Sequence, residues 1–191
     1  QNSYPISDKQ IDTIYAILVF LNLINIIGLE KDFYINVQGD EPICNPEDIK
    51  NNITSDTGLI SIMMANNEVG TIEPIKDIAN IAKEHDILFH SDAIQMLGKL
   101  PVDVKKLNVD MMSFSAHKFY GPKGVGALFI KNGITIKPMI IGGSQEKNMR
   151  AGTENVSGIA GLGLAAEIAN KSANEDFSHL LKLENLISYY F

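Results

Sequence analysis

From residue 59 to residue 130 the chain alternates short apolar runs with amphipathic stretches, and this rhythm restricts the fold more than any other feature. LISIMMA (59–65) is a compact apolar run that reads as a buried strand, and Asn66, Asn67, Glu68, Val69 and Gly70 end it with turn formers. Glu73 and Pro74 open a helix, with Ile75, Ile78, Ala79, Ile81 and Ala82 at helical spacing and the proline suited to the first turn. ILFH (87–90) is the next strand, ending at Ser91 and Asp92, and a short helical piece is expected from Ala93. Residues 109–114 and 126–130 give two more strands around the glycine-rich loop of SFSAHKFYGPKGVGALFI (113–130). Strand, helix, strand, repeated, predicts an α/β fold: a mainly parallel sheet with flanking helices. After Gly152 the pattern turns helical, with residues 159–169 rich in Ala, Gly and Leu and residues 177–187 repeating leucine.

Composition narrows the function classes. At 191 residues, 45% hydrophobic and 20% charged, the chain is long enough for one domain or slightly more. A formal net charge of -7 argues against nucleic acid or an anionic membrane surface as partner, because phosphate backbones attract Lys and Arg patches. A small-molecule ligand is the expectation. The single cysteine, Cys44, permits no intramolecular disulfide, and the expected location is cytoplasmic. The apolar run 14–27 is too short to span a hydrocarbon core and is interrupted by Asn22 and Asn25, so it reads as a buried helix or strand.

In sheets of this kind ligands bind beyond the carboxyl ends of the strands, where Asn67, Asp92, Ser115, His117 and Lys118 fall. A lysine in an apolar, partly desolvated pocket can lose its proton and attack an aldehyde. Pyridoxal phosphate chemistry needs such a lysine, and an acid beside the pyridine nitrogen, for which Asp92 is well placed. Hydroxyl and amide donors from Ser115, His117 and the flanking turn suit a phosphate, and Asn67 and Gln95 suit the phenolic oxygen. Taken singly, Lys118 also fits a solvated surface charge, Asp92 a helix cap before Ala93 and Ile94, and Asn66 and Asn67 ordinary turn residues. His85 and His90 read as structural, since no metal-ligand spacing accompanies them and no metal site is expected. Gly121, Gly124 and Gly126 lack the spacing of a nucleotide-binding loop.

Four blocks together resemble the NifS/IscS-type cysteine desulfurases, within the class V aminotransferases: MMANNEVGTIEPI (63–75), FHSDAIQMLGKLPVDV (89–104), SFSAHKFYGPKGVGALFI (113–130) and GGSQEKNMRAGTEN (142–155). The resemblance runs from about residue 45 to about residue 173. It implies a pyridoxal phosphate enzyme of fold type I that takes sulfur from L-cysteine and leaves alanine. Carried over by position, Lys118 is the lysine that bonds the cofactor, Asp92 the partner of the pyridine nitrogen, and Asn67 and Gln95 neighbours of the ring. Ser115 and His117 hold the phosphate, and Thr153 reaches the phosphate of a partner subunit in a homodimer. A sulfur-acceptor scaffold protein, as in iron–sulfur cluster assembly, is the further partner that the resemblance implies. A selenocysteine lyase or an aminotransferase of the same class shares the lysine block and stays open as an alternative.

The pattern departs from the family in several places. A glycine-alanine-threonine phosphate loop, the histidine that stacks on the cofactor ring and the small-domain cysteine that attacks sulfur are not found among the 191 residues. Cys44, in EPICNPEDI, does not match that nucleophile and reads as a small, partly buried side chain. Lys147 and Asn148 stand where the family usually has arginine and glycine. FYINVQGDEP (33–42) is instead similar to a short motif of the sugar-acid cytidylyltransferases, in which Asp40 would hold Mg²⁺; the plainer reading is a strand over 34–37 and a turn at Gly39 and Asp40. The expected organisation is an atypical segment 1–44, a large-domain core 45–173 and a helical segment 174–191, with a fused or non-catalytic remnant as the contrasting possibility.

Overall fold

The computed structural model describes residues 33–37 and 43–190. The run 14–27 and the Gly39 and Asp40 turn lie outside them. Five strands form one sheet: β1 (Phe33–Val37), β2 (Thr57–Met63), β3 (Leu88–Asp92), β4 (Met111–Ser115) and β5 (Gly126–Ile130). Their order across the sheet is their order along the chain, with β1 to β4 parallel and β5 antiparallel to β4. The expected mainly parallel α/β architecture is what forms, and the antiparallel edge follows from its short connection, since a parallel return needs a longer crossover.

Helices α1 (Pro46–Asn51), α2 (Ile75–Glu84) and α3 (Val104–Leu107) fill the crossovers. The Asn45 side chain caps α1 by accepting the Glu47 N–H at 3.0 Å, and Pro46 takes the first turn, where its missing N–H costs nothing. Asp103 caps α3 in the same way, accepting from Lys105 and Lys106. In α2, Ile75, Ile78, Ala79 and Ala82 are buried at the spacing that puts them on one face. That face packs on Ile60, Ile62, Phe89 and Met112, which alternate along the strands toward the same side of the sheet. The opposite side carries Leu59 and Met111, with Tyr34, Leu88 and Ile130 against them.

One expectation is corrected. The segment after Ala93 forms successive hydrogen-bonded turns, with Leu97 N–H bonded to Ala93 and Leu100 N–H to Met96, but no regular helix. Gly98, at φ +82°, interrupts it. The helical pattern expected after Gly152 forms one continuous helix, α4 (Val156–Tyr190). Its buried residues are Gly158, Ala169 and Ala173, whereas Phe177, Leu180, Leu181, Leu183, Leu186 and Ile187 are exposed. Among the described residues no helix is long and apolar enough to cross a membrane.

Candidate active site

The registers place the carboxyl ends of three parallel strands side by side. Met63 on β2 is paired with Asp92 on β3, and Asp92 with Ser113 on β4. Because β2 and β3 are followed by turns rather than by more strand, Asn67 and the Asp92 to Gln95 segment emerge at one edge. Past β4, Ala116–Phe119 form a single 3₁₀ turn carrying His117 and Lys118. This turn is held by Ala116 and Phe119, which are buried against Ala169 of α4 with Leu97, Val125 and Leu162 around them. Gly126 lets β5 lie close to β4: a Cβ there would stand 2.7 Å from the Phe114 carbonyl oxygen.

Asp92 is half-buried, and its Oδ1 accepts the Ile94 N–H at 2.9 Å. Burial raises its pKa above the ordinary carboxylate value, partly offset by that hydrogen bond. The Ser115 hydroxyl bonds His117 Nδ1 at 2.9 Å. Gln95 Oε1 accepts from Lys99 Nζ at 3.3 Å. The Lys99 ammonium has its pKa lowered, first by partial burial and then by the positive charge of Lys118. The structure thus joins Gln95 to Lys99 and pairs Ser115 with His117, while Asp92 is held by the backbone of its own turn. Asn67 and Thr153 are exposed, on the turn after β2 and the segment entering α4, and among the described residues no side-chain bond joins them to the others.

Lys118 itself is exposed, not sunk in the apolar pocket expected of it. The reason is local: apolar contacts of the 3₁₀ turn are made by Ala116 and Phe119, which turns the residues between them outward. Sequence reasoning also missed Lys99, four residues after Gln95, and a buried polar row. Ser61 Oγ bonds His90 Nδ1 at 2.8 Å, and His90 Nε2 bonds Ser113 Oγ at 2.8 Å. Their signal was present: LISIM, LFHSD and MMSFS each set polar residues among apolar ones on consecutive strands. The departures at Lys147 and Asn148 have a backbone setting as well. Glu146, Lys147 and Asn148 have φ of 47°, 56° and 66°, the region that favours glycine and tolerates asparagine best among other residues.

The donor set fits pyridoxal phosphate. A half-buried carboxyl gains most from a protonated ring nitrogen, a serine–histidine pair suits a phosphate, and the turn after β4 presents the Lys118 amine. Among the described residues no group of His, Cys, Asp and Glu is arranged to hold a metal ion.

An acid thus ends the third strand and a lysine-bearing turn follows the fourth, both at the carboxyl edge of the parallel strands. Residues 32–187 match the family described as aminotransferase class-V, and the chain belongs to that family. Within it, the chain is 56% identical over 145 residues to the cysteine desulfurase IscS of Dictyoglomus turgidum, covering 76% of this chain and 37% of that protein. It is also 56% identical over 141 residues to cysteine desulfurase IscS of Methanosarcina thermophila, covering 74% and 35%. The chain therefore spans about a third of the length of these curated relatives. Among solved structures it resembles a NifS-like protein (TM-score 0.77, 40% identity, 97% of this chain and 49% of that one). It also resembles the NifS-like protein from Rickettsia africae (TM-score 0.79, 32% identity, 89% and 53%) and SspA in complex with cysteine (TM-score 0.69, 36% identity, 82% and 51%).

Proposed function

We propose that this chain supplies the cofactor-binding core of a pyridoxal phosphate-dependent cysteine desulfurase, which takes sulfur from L-cysteine and leaves alanine. The observation that carries the reading is the shared strand-end edge. Asp92 is in register with β2 and β4, and the turn bearing Lys118 follows β4 directly. Two relatives at 56% identity are named cysteine desulfurase, and one structural neighbour is described in complex with cysteine.

When bound, the cofactor provides an electron sink that eases bond breaking at the α-carbon of an amino acid. In this reading Lys118 anchors it covalently and then moves the α-proton, for which an unhindered amine at the site edge is suited. Asp92 keeps a proton on the ring nitrogen, and its partial burial strengthens that interaction. Gln95, steadied by Lys99, and Asn67 donate to the phenolic oxygen. Ser115 and His117 hold the phosphate, while Thr153 reaches the phosphate of a partner subunit. Cleavage of the substrate C–S bond passes the sulfur to an attacking thiolate, giving a persulfide, and a proton replaces it at the β-carbon. Cys44 is not that thiol: it packs against the core on the α2 side of the sheet, and its N–H donates to Glu73 at 2.7 Å.

Residues 45–173 form the core in this reading, residues 174–191 a helical extension, and residues 1–44 a leading segment whose β1 supplies the edge strand. The exposed apolar residues of α4 support a homodimer. A cytoplasmic location and delivery of sulfur to a scaffold protein for iron–sulfur cluster assembly complete the proposal. Its test is borohydride reduction of the chain with pyridoxal phosphate, followed by peptide mapping. The cofactor is expected on Lys118, with loss of the visible absorbance band; an adduct spread over surface lysines would overturn the assignment.

A further inference from the structure

His90 is buried at 2% exposure, takes no part in the chemistry above, and yet both its ring nitrogens are bonded. We propose that His90 is a positioning residue: by bonding Ser61 on β2 and Ser113 on β4 it locks the three strands whose ends carry the site, and so fixes the place of the Asp92 carboxylate. This inference deepens the cofactor reading and rests on it for its functional meaning.

The geometry is directional. His90 lies two residues before Asp92, so both side chains leave β3 on the same face of the sheet. Ser61 is the residue in register with His90 on β2. On β4 the residue in register with His90 is Met111, but the imidazole reaches past it to Ser113, which is in register with Asp92. The polar row therefore runs obliquely across the sheet, from the middle of β2 toward the site edge. Both bonds are 2.8 Å long, which sets the spacing of the strands more tightly than apolar contact would. On the other face Ser91 donates to the Ile62 carbonyl at 3.0 Å, a second side-chain tie between β2 and β3.

The ring serves as a neutral bridge, one nitrogen donating and the other accepting, and the serine hydroxyls rotate to match. Burial lowers its pKa to about 4, so it is uncharged at neutral pH. An apolar side chain of similar size would fill the space but leave two inward hydroxyls without this partner, a loss that buried polar groups resist.

The experiment compares His90→Gln, His90→Leu and Ser113→Ala with the parent chain. Glutamine can bond both serines, leucine neither, and Ser113→Ala removes one bond with little change in volume. Two properties are read: the titration of the Asp92 carboxyl by carbon-13 NMR without cofactor, and the affinity and absorbance maximum with pyridoxal phosphate. His90→Leu and Ser113→Ala are expected to displace the Asp92 titration and weaken cofactor binding by about tenfold, with glutamine close to the parent. Should leucine prevent folding, Ser113→Ala decides alone. An unchanged Asp92 titration in the variants that fold, or glutamine as impaired as leucine, would overturn the proposal. If the parent binds no pyridoxal phosphate, the cofactor reading fails, and the carboxyl titration still judges His90.

Discussion

The Met64 N–H donates to the Asp92 carbonyl at 2.7 Å, one residue beyond the row in which Met63 and Asp92 are paired. This bond fastens the backbone of Asp92 where β3 leaves the sheet, while its side chain is held separately by the Ile94 N–H. The acid is thus fixed at both ends before any ligand arrives, although its burial disfavours the charge.

Asp92→Asn is expected to stabilise the chain without cofactor. The carboxyl pKa is raised in the folded state, so its ionisation opposes folding as pH rises above the ordinary carboxylate range, and asparagine keeps the acceptor for Ile94. Thermal unfolding should show a midpoint a few degrees higher at pH 7.5, with the gain shrinking toward pH 4. With pyridoxal phosphate bound, the same variant should exchange the α-proton of an amino acid about 10²-fold more slowly, since a neutral partner no longer favours the protonated ring. Equal exchange rates would remove Asp92 from its assigned role.

His90 predicts acid sensitivity. Burial lowers its folded pKa to about 4 from the ordinary histidine value of 6.5, so the unfolded chain binds the extra proton and stability falls as pH drops through that window. Urea unfolding at pH 7 and pH 4.5 should differ by on the order of 2–3 kcal/mol from this group. His90→Gln should remove that share of the pH dependence; a curve of unchanged steepness would show that other groups cause it.

Much of the site follows from pattern alone. The apolar run of β2 leads to Asn66 and Asn67, β3 ends in Asp92 and β4 in Ser115, so strand periodicity points to Asn67, Asp92 and Ser115. Gly126–Ile130 has the bounds expected of it, whereas β2, β3 and β4 lie one or two residues from theirs. What pattern does not carry is cross-strand pairing. Ser61, His90 and Ser113 are far apart in sequence, and only the register shows them as one row. The exposure of Lys118 was equally hidden, because it depends on which two of four residues in a 3₁₀ turn find α4.

Gly98→Ala should be costly on two counts. Its φ of +82° disfavours any Cβ, and that Cβ would stand 2.9 Å from Cβ of Ala169 and 3.0 Å from Cβ of Phe119. Strain of roughly 1–2 kcal/mol and overpacking of roughly 1–3 kcal/mol are expected together. Gly124→Ala is the control, with φ +78° and nothing within 4 Å of the new atom, so only the first contribution applies. Equal denaturation midpoints for the two variants would contradict the close packing of α4 on the turn that bears Lys118.

Cys44→Ser should leave pyridoxal phosphate binding unchanged and alter stability by no more than about 1 kcal/mol, because the side chain is only half-buried. Sulfide release from L-cysteine with added reductant should be the same in parent and variant. Turnover in the parent that vanishes in the variant would make Cys44 the sulfur acceptor.

The agreement between strand order and chain order has a kinetic meaning. Each strand of the described sheet lies beside the one that precedes it in sequence, so assembly can advance by local steps, each closing only a modest loop before it is rewarded by pairing. A chain emerging from synthesis could add β2 to β1, then β3, then the β4 and β5 pair, without waiting for distant partners. Within the described strands the same linearity makes the middle strand a bridge: without β3, the β1–β2 pair would lose its link to the β4–β5 pair.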